Sequence, residues 1–516
     1  MIRLFFLAAL LFFTTASVSG QSTDNPATPR ARSHVERFSS LDTRAGRVEA
    51  EANEKLAANA NDSDALNRRA LARMRLGRYA EAVEDLRRAV SIQPRNSDYL
   101  ANLGYALWRV GRFDESVTAE RSAIKANDAN FTAHYQLGRF LLRQGQSGQL
   151  AEAIVHLRRA LEIDSRQYEV RLELITAYRA AGDRAQAASQ LELLGNARPS
   201  DPRVFYASAL LATDRGDLPA AIKDFKEALH RDPTLYEAWR DLGLALVKSN
   251  QWPAAEEAFA ELARRQPAMV DAAYLHGLAL FNIGRVAEAE AEVRRALRLN
   301  AGAAEAHTLL GVILASRGNA NAEAVDALTQ AIALNPNSFD ALFYLGRVFY
   351  TQRDYQNAAL RLREAVKLNP THGESRFFLG TALEAAGESE AALTEYEELL
   401  KIDSESAMGQ VGRGALLVKQ GKLEEAITAL SRAAELDPAR FEAHFALGRA
   451  LALAHRYSEA LDSLTRAVKL APDRADVHYQ LGLTLKRLGR DEEAAREFAR
   501  VEEINREYRT GATQKH

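Results

Sequence analysis

One stretch of the chain, residues 236–267, shows how its apolar and polar positions are arranged. Two apolar stripes follow one another at the i, i+3, i+4, i+7 spacing of helices with one buried face: Trp239, Leu242, Gly243 and Leu246, and then Ala255, Ala258, Phe259 and Leu262. Gly243 and Ala255 are small, which lets two helices cross closely, because larger side chains would push the axes apart. Pro267 cannot continue a helix. The stretch therefore predicts a hairpin of two helices.

The same pattern recurs along most of the chain, with a usual spacing of 34 residues. Thirteen copies begin near residues 63, 97, 131, 168, 202, 236, 270, 304, 339, 373, 407, 441 and 475. The first-helix glycine is present in ten of them, as Gly104, Gly138, Gly243, Gly277, Gly311, Gly346, Gly380, Gly414, Gly448 and Gly482. Ala70, Ile175 and Ala209 replace it in the other three. So regular a pattern predicts a tandem array of one structural unit.

This period, together with the Leu-Gly pair, the later Ala and the closing Pro, resembles the tetratricopeptide repeat. The resemblance implies an all-α fold, an α-solenoid of about 13 tandem helix-turn-helix repeats that forms a right-handed superhelix. Each repeat would contact mainly its neighbours, so a chain of 516 residues need not divide into several globular domains.

Composition fits such an array and narrows the partners. Hydrophobic residues make up 47% of the chain, enough for a continuous core. The net charge is −2, so no strong field would attract nucleic acid or an anionic membrane. The chain has no cysteine, which excludes disulfides, thiolate metal sites and a lipid-anchored cysteine.

The N-terminus has the layout of a secretory signal peptide, which we assign to residues 1–20. Arg3 precedes an apolar run from Leu4 to Phe13, and a small polar stretch follows it. The run is too short to span a bilayer comfortably, so we expect cleavage near residues 19–21 and no stable membrane insertion afterwards. The alternative is an uncleaved signal that tethers the array to the membrane. Arginine far outnumbers lysine, which suggests a bacterial source and hence a periplasmic or extracellular location.

Four further segments are predicted after the signal. Residues 21–42 are polar and contain Pro26 and Pro29, which favours a flexible linker. Residues 43–62 would form an N-terminal capping helix, residues 63–508 the array, and residues 509–516 a disordered tail. The last repeat carries an apolar stripe of Phe498, Val501, Ile504 and Tyr508, which is either an end cap or a docking face.

The second repeat departs most from the pattern. Ser116 and Glu120 occupy positions of its second helix that are normally small or apolar. Because coupling in a solenoid passes through adjacent units, we expect the array to be least stable there.

The resemblance implies a hollow inner surface formed by first-helix side chains that do not pack on the second helix. Aromatic and arginine residues recur there, and both are frequent anchors of protein interfaces. The predicted partner-binding groove consists of Tyr135, Arg139, Arg143, Tyr206, Tyr274, Phe343, Arg347, Phe377, Phe445, Arg449 and Tyr479. Such a groove would accept an extended peptide or a partner helix. The alternative is that the aromatic residues mostly pack against the next repeat.

No constellation for catalysis or metal binding is evident in the sequence. His134, His307, His444 and His478 share one repeat position, far apart along the chain, and no His-x-x-x-His pair occurs, so we predict packing roles for them and no metal or other cofactor. There is neither a Gly-x-Ser-x-Gly turn nor a glycine-rich phosphate loop.

The expected function is therefore that of an exported, non-catalytic scaffold or adaptor that binds protein or peptide partners in its groove. One alternative is an accessory subunit that presents substrates to a separate enzyme, or to an envelope machine for secretion or polysaccharide export. Another is a membrane-tethered organiser, if the signal is retained.

Overall fold

The computed structural model describes residues 31–145, 148–318 and 321–513, and within them the side chains of 44–145, 148–318 and 322–507. These residues form 27 helices and no strand. In chain order the helices are α1 Ala31–Ala58, α2 Ser63–Arg75, α3 Tyr79–Ile92, α4 Ser97–Arg109, α5 Phe113–Ala126, α6 Phe131–Gln144, α7 Leu150–Ile163, α8 Tyr168–Ala180, α9 Arg184–Ala197, α10 Pro202–Asp214, α11 Leu218–Arg231, α12 Tyr236–Lys248, α13 Trp252–Arg265, α14 Val270–Asn282, α15 Val286–Leu299, α16 Ala304–Ser316, α17 Asn321–Leu334, α18 Phe339–Thr351, α19 Tyr355–Leu368, α20 Gly373–Ala385, α21 Ser389–Ile402, α22 Ala407–Lys419, α23 Leu423–Leu436, α24 Phe441–Leu453, α25 Tyr457–Leu470, α26 Ala475–Arg487 and α27 Asp491–Thr513.

The helices from α2 onward form thirteen hairpins, in which each even-numbered helix is the A helix and the next is the B helix. Two compact units contain them: residues 1–267 hold α1 to α13, and residues 268–516 hold α14 to α27. Within each unit every A helix packs on its own B helix, and each B helix packs on the next A helix along the chain. This confirms the predicted all-α solenoid of helical hairpins.

The small residues predicted at the helix crossings are required by the packing. In repeat 7, a Cβ on Gly277 would lie 2.7 Å from Cγ2 of Val293 on the facing B helix. In repeat 9, a Cβ on Gly346 would lie 2.6 Å from Cγ of Leu362. Real Cβ atoms do not approach other carbons so closely, so a larger residue would force the two helices apart.

In each of the thirteen repeats, one residue after the A helix takes the left-handed conformation. Glycine takes this conformation in ten repeats, for example Gly284 with φ +86°. Asn250, Arg353 and His455 take it in three others, with φ of +56°, +64° and +59°. A side chain with a Cβ is strained there, asparagine least of all.

In several repeats, the side chain at the fourth position of the A helix hydrogen-bonds to a backbone carbonyl in the preceding loop. Nε2 of His307, His444 and His478 faces the carbonyl oxygen of the residue six positions earlier, at 2.9, 3.1 and 2.9 Å. Trp239 Nε1 donates to the Pro233 carbonyl at 3.1 Å in the same manner. These histidines therefore have a structural role, because each satisfies a loop carbonyl that lies outside the helix.

Both ends of the described chain differ from the predicted boundaries. Helix α1 begins at Ala31 rather than near residue 43, so it includes residues 31–42 of the segment predicted as a linker. At the other end α27 continues to Thr513, into the predicted disordered tail. The predicted signal peptide lies outside the described residues. Among the residues that are described, no helix has both the length and the apolar character needed to cross a membrane.

Repeat 2 buries the two polar residues that the sequence singled out. The Ser116 hydroxyl donates to the Gly104 carbonyl at 2.7 Å. Glu120 is fully buried, and neither of its carboxyl oxygens has a hydrogen-bond partner. Burial raises the pKa of the Glu120 carboxyl well above its usual value, since no charge nearby offsets the loss of water. A buried polar group without a partner destabilises the fold, which agrees with the predicted weakness of this repeat.

Candidate partner-binding surface

Three positions of each A helix, the fifth, ninth and thirteenth, point to one side of the helix and are called here the inner row. They recur every four residues, which keeps them on a single helix face. All of the predicted groove residues belong to this row. The structure distributes them among three environments, and the difference decides which of them a partner can reach.

Two of the predicted groove aromatics, Tyr274 and Phe343, are enclosed within the protein. Their exposed fractions are 7% and 2%. The Phe343 ring lies edge-on to His372 and Phe378 of the next repeat, with ring centres 5.4 and 6.1 Å away. The prediction that these two rings offer contact surface is therefore corrected: the neighbouring repeat covers Phe343, so truncating it would disturb the core.

Four other inner-row aromatics are half-buried and already have partners. They are Tyr135, Tyr206, Phe377 and Phe445. The Tyr206 hydroxyl donates to Asp241 Oδ2 at 2.7 Å, and burial together with this negative charge raises the pKa of Tyr206 well above its usual value. Such rings stiffen the inner surface, and the faces that they leave exposed remain predicted contact sites.

Inner-row arginines lie over aromatic rings on the same helix. The Arg139 guanidinium carbon is 5.1 Å from the centre of the Tyr135 ring, and that of Arg449 is 5.7 Å from Phe445. Arg139 also binds Glu173 of the next repeat at 2.9 Å. Arg449 and Arg143, by contrast, are exposed. An exposed guanidinium on an aromatic ring keeps its donors free for a partner while the ring limits its motion.

Arg347 is more tightly held than the other arginines. Its guanidinium lies 4.7 Å from the centre of the Phe378 ring and 5.5 Å from that of Phe343. It also faces the Glu374 carboxylate at 3.7 Å. The half-buried side chain thus ties repeats 9 and 10 together, and it is a structural residue as much as a candidate contact.

Repeats 12 and 13 expose large apolar side chains on their inner rows. Leu453, Tyr479 and Leu483 have exposed fractions of 52%, 51% and 37%. Arg449 and Arg487 are exposed on the same rows. We call these five residues the terminal inner patch. No further A helix follows α26 among the described residues, so Tyr479 has no neighbour corresponding to the one that covers Phe343.

Sequence reasoning identified Tyr479 and Arg449 but missed Leu453 and Leu483. Their positions in the repeat could have identified them. They lie at the thirteenth and ninth positions of their A helices, where several other repeats carry arginine or lysine. Most other exposed large aliphatic residues of this unit lie on the opposite type of helix. Leu299, Leu334, Leu368, Ile402 and Leu470 each form the last residue of a B helix.

The described side chains include no cluster of three or more histidine, aspartate or glutamate residues that could hold a metal ion. The stripe predicted on α27 is half-buried at Phe498, Val501 and Ile504, and the side chain of Tyr508 lies outside the described residues.

Comparison with known proteins agrees with the repeat architecture. Models of the TPR repeat match residues 70–111 and 414–454. Models of the tetratricopeptide repeat match residues 101–168, 240–304, 274–322, 319–361 and 345–407, residues 146–211, and, under related TPR models, residues 441–474 and 475–508. Together they account for residues 70–211, 240–407 and 414–508. The chain belongs to the tetratricopeptide repeat family.

Among solved structures, the chain is similar to one in the APC/C hetero-tetramer Cut9-Hcn1, at 14% sequence identity and a TM-score of 0.48, over 86% of this chain and 94% of the other. It is also similar to YrrB, a TPR protein with an unusual peptide-binding site, at 21% identity and a TM-score of 0.30, over 36% and 95% of the two chains. No curated protein sequence matches it.

Proposed function

We propose that the protein is an exported, non-catalytic scaffold that holds partner proteins against the inner rows of its A helices. The observation that carries this proposal is the terminal inner patch. Leu453, Tyr479 and Leu483 leave much of their apolar surface in water, and Arg449 and Arg487 accompany them. Aromatic and arginine side chains beside exposed aliphatic ones are the usual composition of a binding hot spot.

The patch is distinguished from ordinary surface by its position. Exposed aliphatic residues at the ends of B helices recur from repeat to repeat, so they belong to the repeat itself. The patch lies instead on the inner rows of two A helices of adjacent repeats, α24 and α26. Only about half of each side chain is still exposed, so burying all three against a partner would contribute about 2–4 kcal/mol in total, at about 1.5–3 kcal/mol for each residue transferred completely.

Export is proposed from the sequence of residues 1–20, with its single arginine and short apolar run. N-terminal sequencing of the mature protein tests it. A mature N-terminus near residue 21 supports export with cleavage. A mature protein that begins at Met1 and stays in the cytoplasm contradicts it.

The binding proposal is tested by crosslinked capture from the native envelope fraction. The full-length protein is compared with a triple variant, Leu453→Ala, Tyr479→Ala and Leu483→Ala. We expect the recovery of a specific partner to fall about tenfold or more. In a matched control variant, alanine replaces Leu368, Ile402 and Leu470. These residues lie at the ends of B helices and have exposed fractions of 41%, 42% and 42%. Full capture by the patch variant, with both helical spectra unchanged, would overturn the proposal.

A further inference from the structure

Repeat 3 holds two histidine side chains in contact between its two helices. His134 is the fourth residue of α6 and His156 the seventh residue of α7, and their Nδ1 atoms lie 3.0 Å apart. His134 is buried and His156 half-buried, so the bond between them is largely shielded from water. A hydrogen bond between two imidazoles needs a proton on one facing nitrogen and a lone pair on the other, so it depends on pH.

The surroundings of His134 determine which nitrogen carries each proton. His134 Nε2 lies 3.1 Å from the backbone carbonyl oxygen of Asp128, which can only accept, so Nε2 of the neutral ring carries the proton. Its Nδ1 therefore has a lone pair, to which His156 Nδ1–H donates. One added proton can bind at His156 Nε2 and leave this bond intact. A second added proton places N–H groups on both facing atoms and two positive charges side by side, so the bond must break.

The same two repeat positions are paired differently elsewhere in the protein. In repeat 10 the Arg376 guanidinium donates to Glu395 Oε2 at 2.7 Å. In repeat 13 His478 Nδ1 faces Glu497 Oε2 at 2.5 Å, and a carboxylate favours the protonated form of an imidazole. Those repeats place a cation against an acid, whereas repeat 3 places two groups together that both become cations in acid.

The charged groups that act on the two rings already have partners. Each ring has a carboxylate 3.7 Å from its Nε2 atom, that of Asp128 in the loop before α6 or that of Glu152 in α7. Arg159 of α7 binds the first at 2.7 Å, and Arg121 of α5 binds the second at 2.9 Å. These arginines offset the attraction of the carboxylates for an imidazolium. Burial lowers the pKa of both histidines, and a charge on one ring opposes a charge on the other.

We propose that the His134–His156 pair is an acid-sensitive contact that loosens the hairpin of repeat 3 when both rings become protonated. The inference goes beyond the proposed scaffold function and does not depend on which partner the inner rows hold.

Loosening of this hairpin would reach the predicted groove. Helix α6 carries the groove residues Tyr135, Arg139 and Arg143. Residues 145–149 separate α6 from α7, compared with 454–456 between α24 and α25, so the connection in repeat 3 restrains its two helices less. Acid would therefore change how repeat 3 presents these three side chains.

The direction of the effect follows from the lowered pKa values. Both histidines have a folded-state pKa below the ordinary value of 6.5. The repeat therefore has its full stability above about pH 6.5 and loses stability as the pH falls through the folded-state values. Glu120 of repeat 2 acts in the opposite sense, because burial raises the pKa of its carboxyl. A loss of stability in acid therefore cannot come from Glu120.

Hydrogen exchange of the backbone amides of the full-length protein tests the proposal. Exchange is recorded at about pH 7.5 and about pH 5 and corrected for the intrinsic rate at each pH. Helices α24 and α25 are the internal control, since His444 faces a loop carbonyl in the same manner as His134. Ser463 there occupies the position of His156. We expect the protection of α6 and α7 to fall about tenfold or more in acid, and that of α24 and α25 to change less than about threefold.

Two variants identify the pair as the cause. His156→Gln keeps an N–H donor for His134 but removes one titrating ring, so the loss of protection in acid should shrink to less than about threefold. His156→Glu reproduces the pair of His478 and Glu497, so α6 and α7 should be equally or better protected in acid. Melting temperatures at neutral pH verify that both variants are folded.

Three results would overturn the proposal. The first is an equal change of protection in the two hairpins of the native protein. The second is an undiminished loss in His156→Gln, and the third is a loss in His156→Glu as large as in the native protein. The outcome does not bear on the scaffold function, which the capture experiment with the terminal inner patch tests separately.

Discussion

The carboxyl group of Glu120 lies directly against the backbone of Gly104, so that a Cβ on this glycine would come within 2.7 Å of the carboxyl carbon. The contact belongs to the helix crossing of repeat 2, where other repeats place an aliphatic or aromatic side chain against the same glycine. Leu157 against Gly138 is the equivalent pair in repeat 3. Glu120 thus places a carboxyl group at a position that an apolar side chain fills in other repeats.

Replacing Glu120 with leucine should therefore stabilise the protein. The variant removes a fully buried carboxyl without hydrogen-bond partners and restores apolar packing, for a gain of about 1–3 kcal/mol at neutral pH. Hydrogen exchange of the backbone amides of α4 and α5 measures the gain in local stability, and thermal unfolding measures the gain in stability of the whole protein.

The effect should depend on pH, with a definite sign. Because the folded state raises the pKa of Glu120 above 4.5, ionisation favours the unfolded chain. The native protein keeps this part of its stability below about pH 4.5 and loses it as the pH rises toward the folded-state pKa. The advantage of Glu120→Leu should consequently grow from acid to neutral pH. An advantage that stays constant or shrinks would contradict the burial of a neutral carboxyl.

Replacing Gly277 with valine should destabilise repeat 7. The new Cβ would meet Val293 Cγ2 at 2.7 Å and the Ala289 carbonyl oxygen at 3.2 Å, so the hairpin must open, at a cost of about 1–3 kcal/mol. Chemical denaturation measures this cost. Gly46 is a suitable control, because it lies in α1 with no atom within 4 Å of its missing Cβ. An equal loss in Gly46→Val and Gly277→Val would show that close crossing is not the cause.

Replacing Arg353 with glycine should stabilise the turn between α18 and α19. Arg353 has φ +64°, a conformation that costs a residue with a Cβ about 1 kcal/mol and costs glycine almost nothing. Thermal unfolding should show a higher melting temperature for Arg353→Gly. Asn250→Gly, at φ +56° in the corresponding turn, should gain less, since asparagine tolerates this region. A larger gain at Asn250 than at Arg353 would contradict the explanation.

Replacing Asp340 with asparagine should flatten the dependence of stability on pH between about 4 and 6. Burial raises the pKa of Asp340 from 3.8 to about 6, and the charge of Asp340 in turn raises the pKa of Tyr274 and Tyr344. The native protein loses stability as the pH rises through this window, by up to about 3 kcal/mol, whereas the variant should not. Melting temperatures from pH 4 to pH 8 measure the difference.

The repeat fold was predictable because its determinants are local. A small residue at the crossing, apolar stripes at helical spacing and a closing proline specify a hairpin from a few dozen residues, and α12 and α13 indeed occupy 236–248 and 252–265. The start of α1 was missed because residues 31–42 are polar and follow Pro26 and Pro29, a composition that is typical of a linker.

The binding surface was less predictable, because exposure depends on the neighbouring repeat. Phe343 and Tyr479 have the same register, yet one is enclosed and the other half-exposed. His372 and Phe378 close over Phe343, whereas no A helix follows that of Tyr479 in the described chain. Periodicity places a residue on a helix face, but the identity of the residues one repeat away decides whether that face is covered.

The hydrogen bond from the side chain at the fourth position of the A helix to the carbonyl six residues earlier has a consequence for aligning such repeats. Histidine in repeats 8, 12 and 13 and tryptophan in repeat 6 hold the same upstream carbonyl, and the Arg376 guanidinium does so in repeat 10, at 2.8 Å from Pro370. Substitution scores treat an imidazole, an indole and a guanidinium as unlike. At this site they are interchangeable N–H groups at matching reach, so distant copies of the repeat are better aligned by what the side chain donates than by its class.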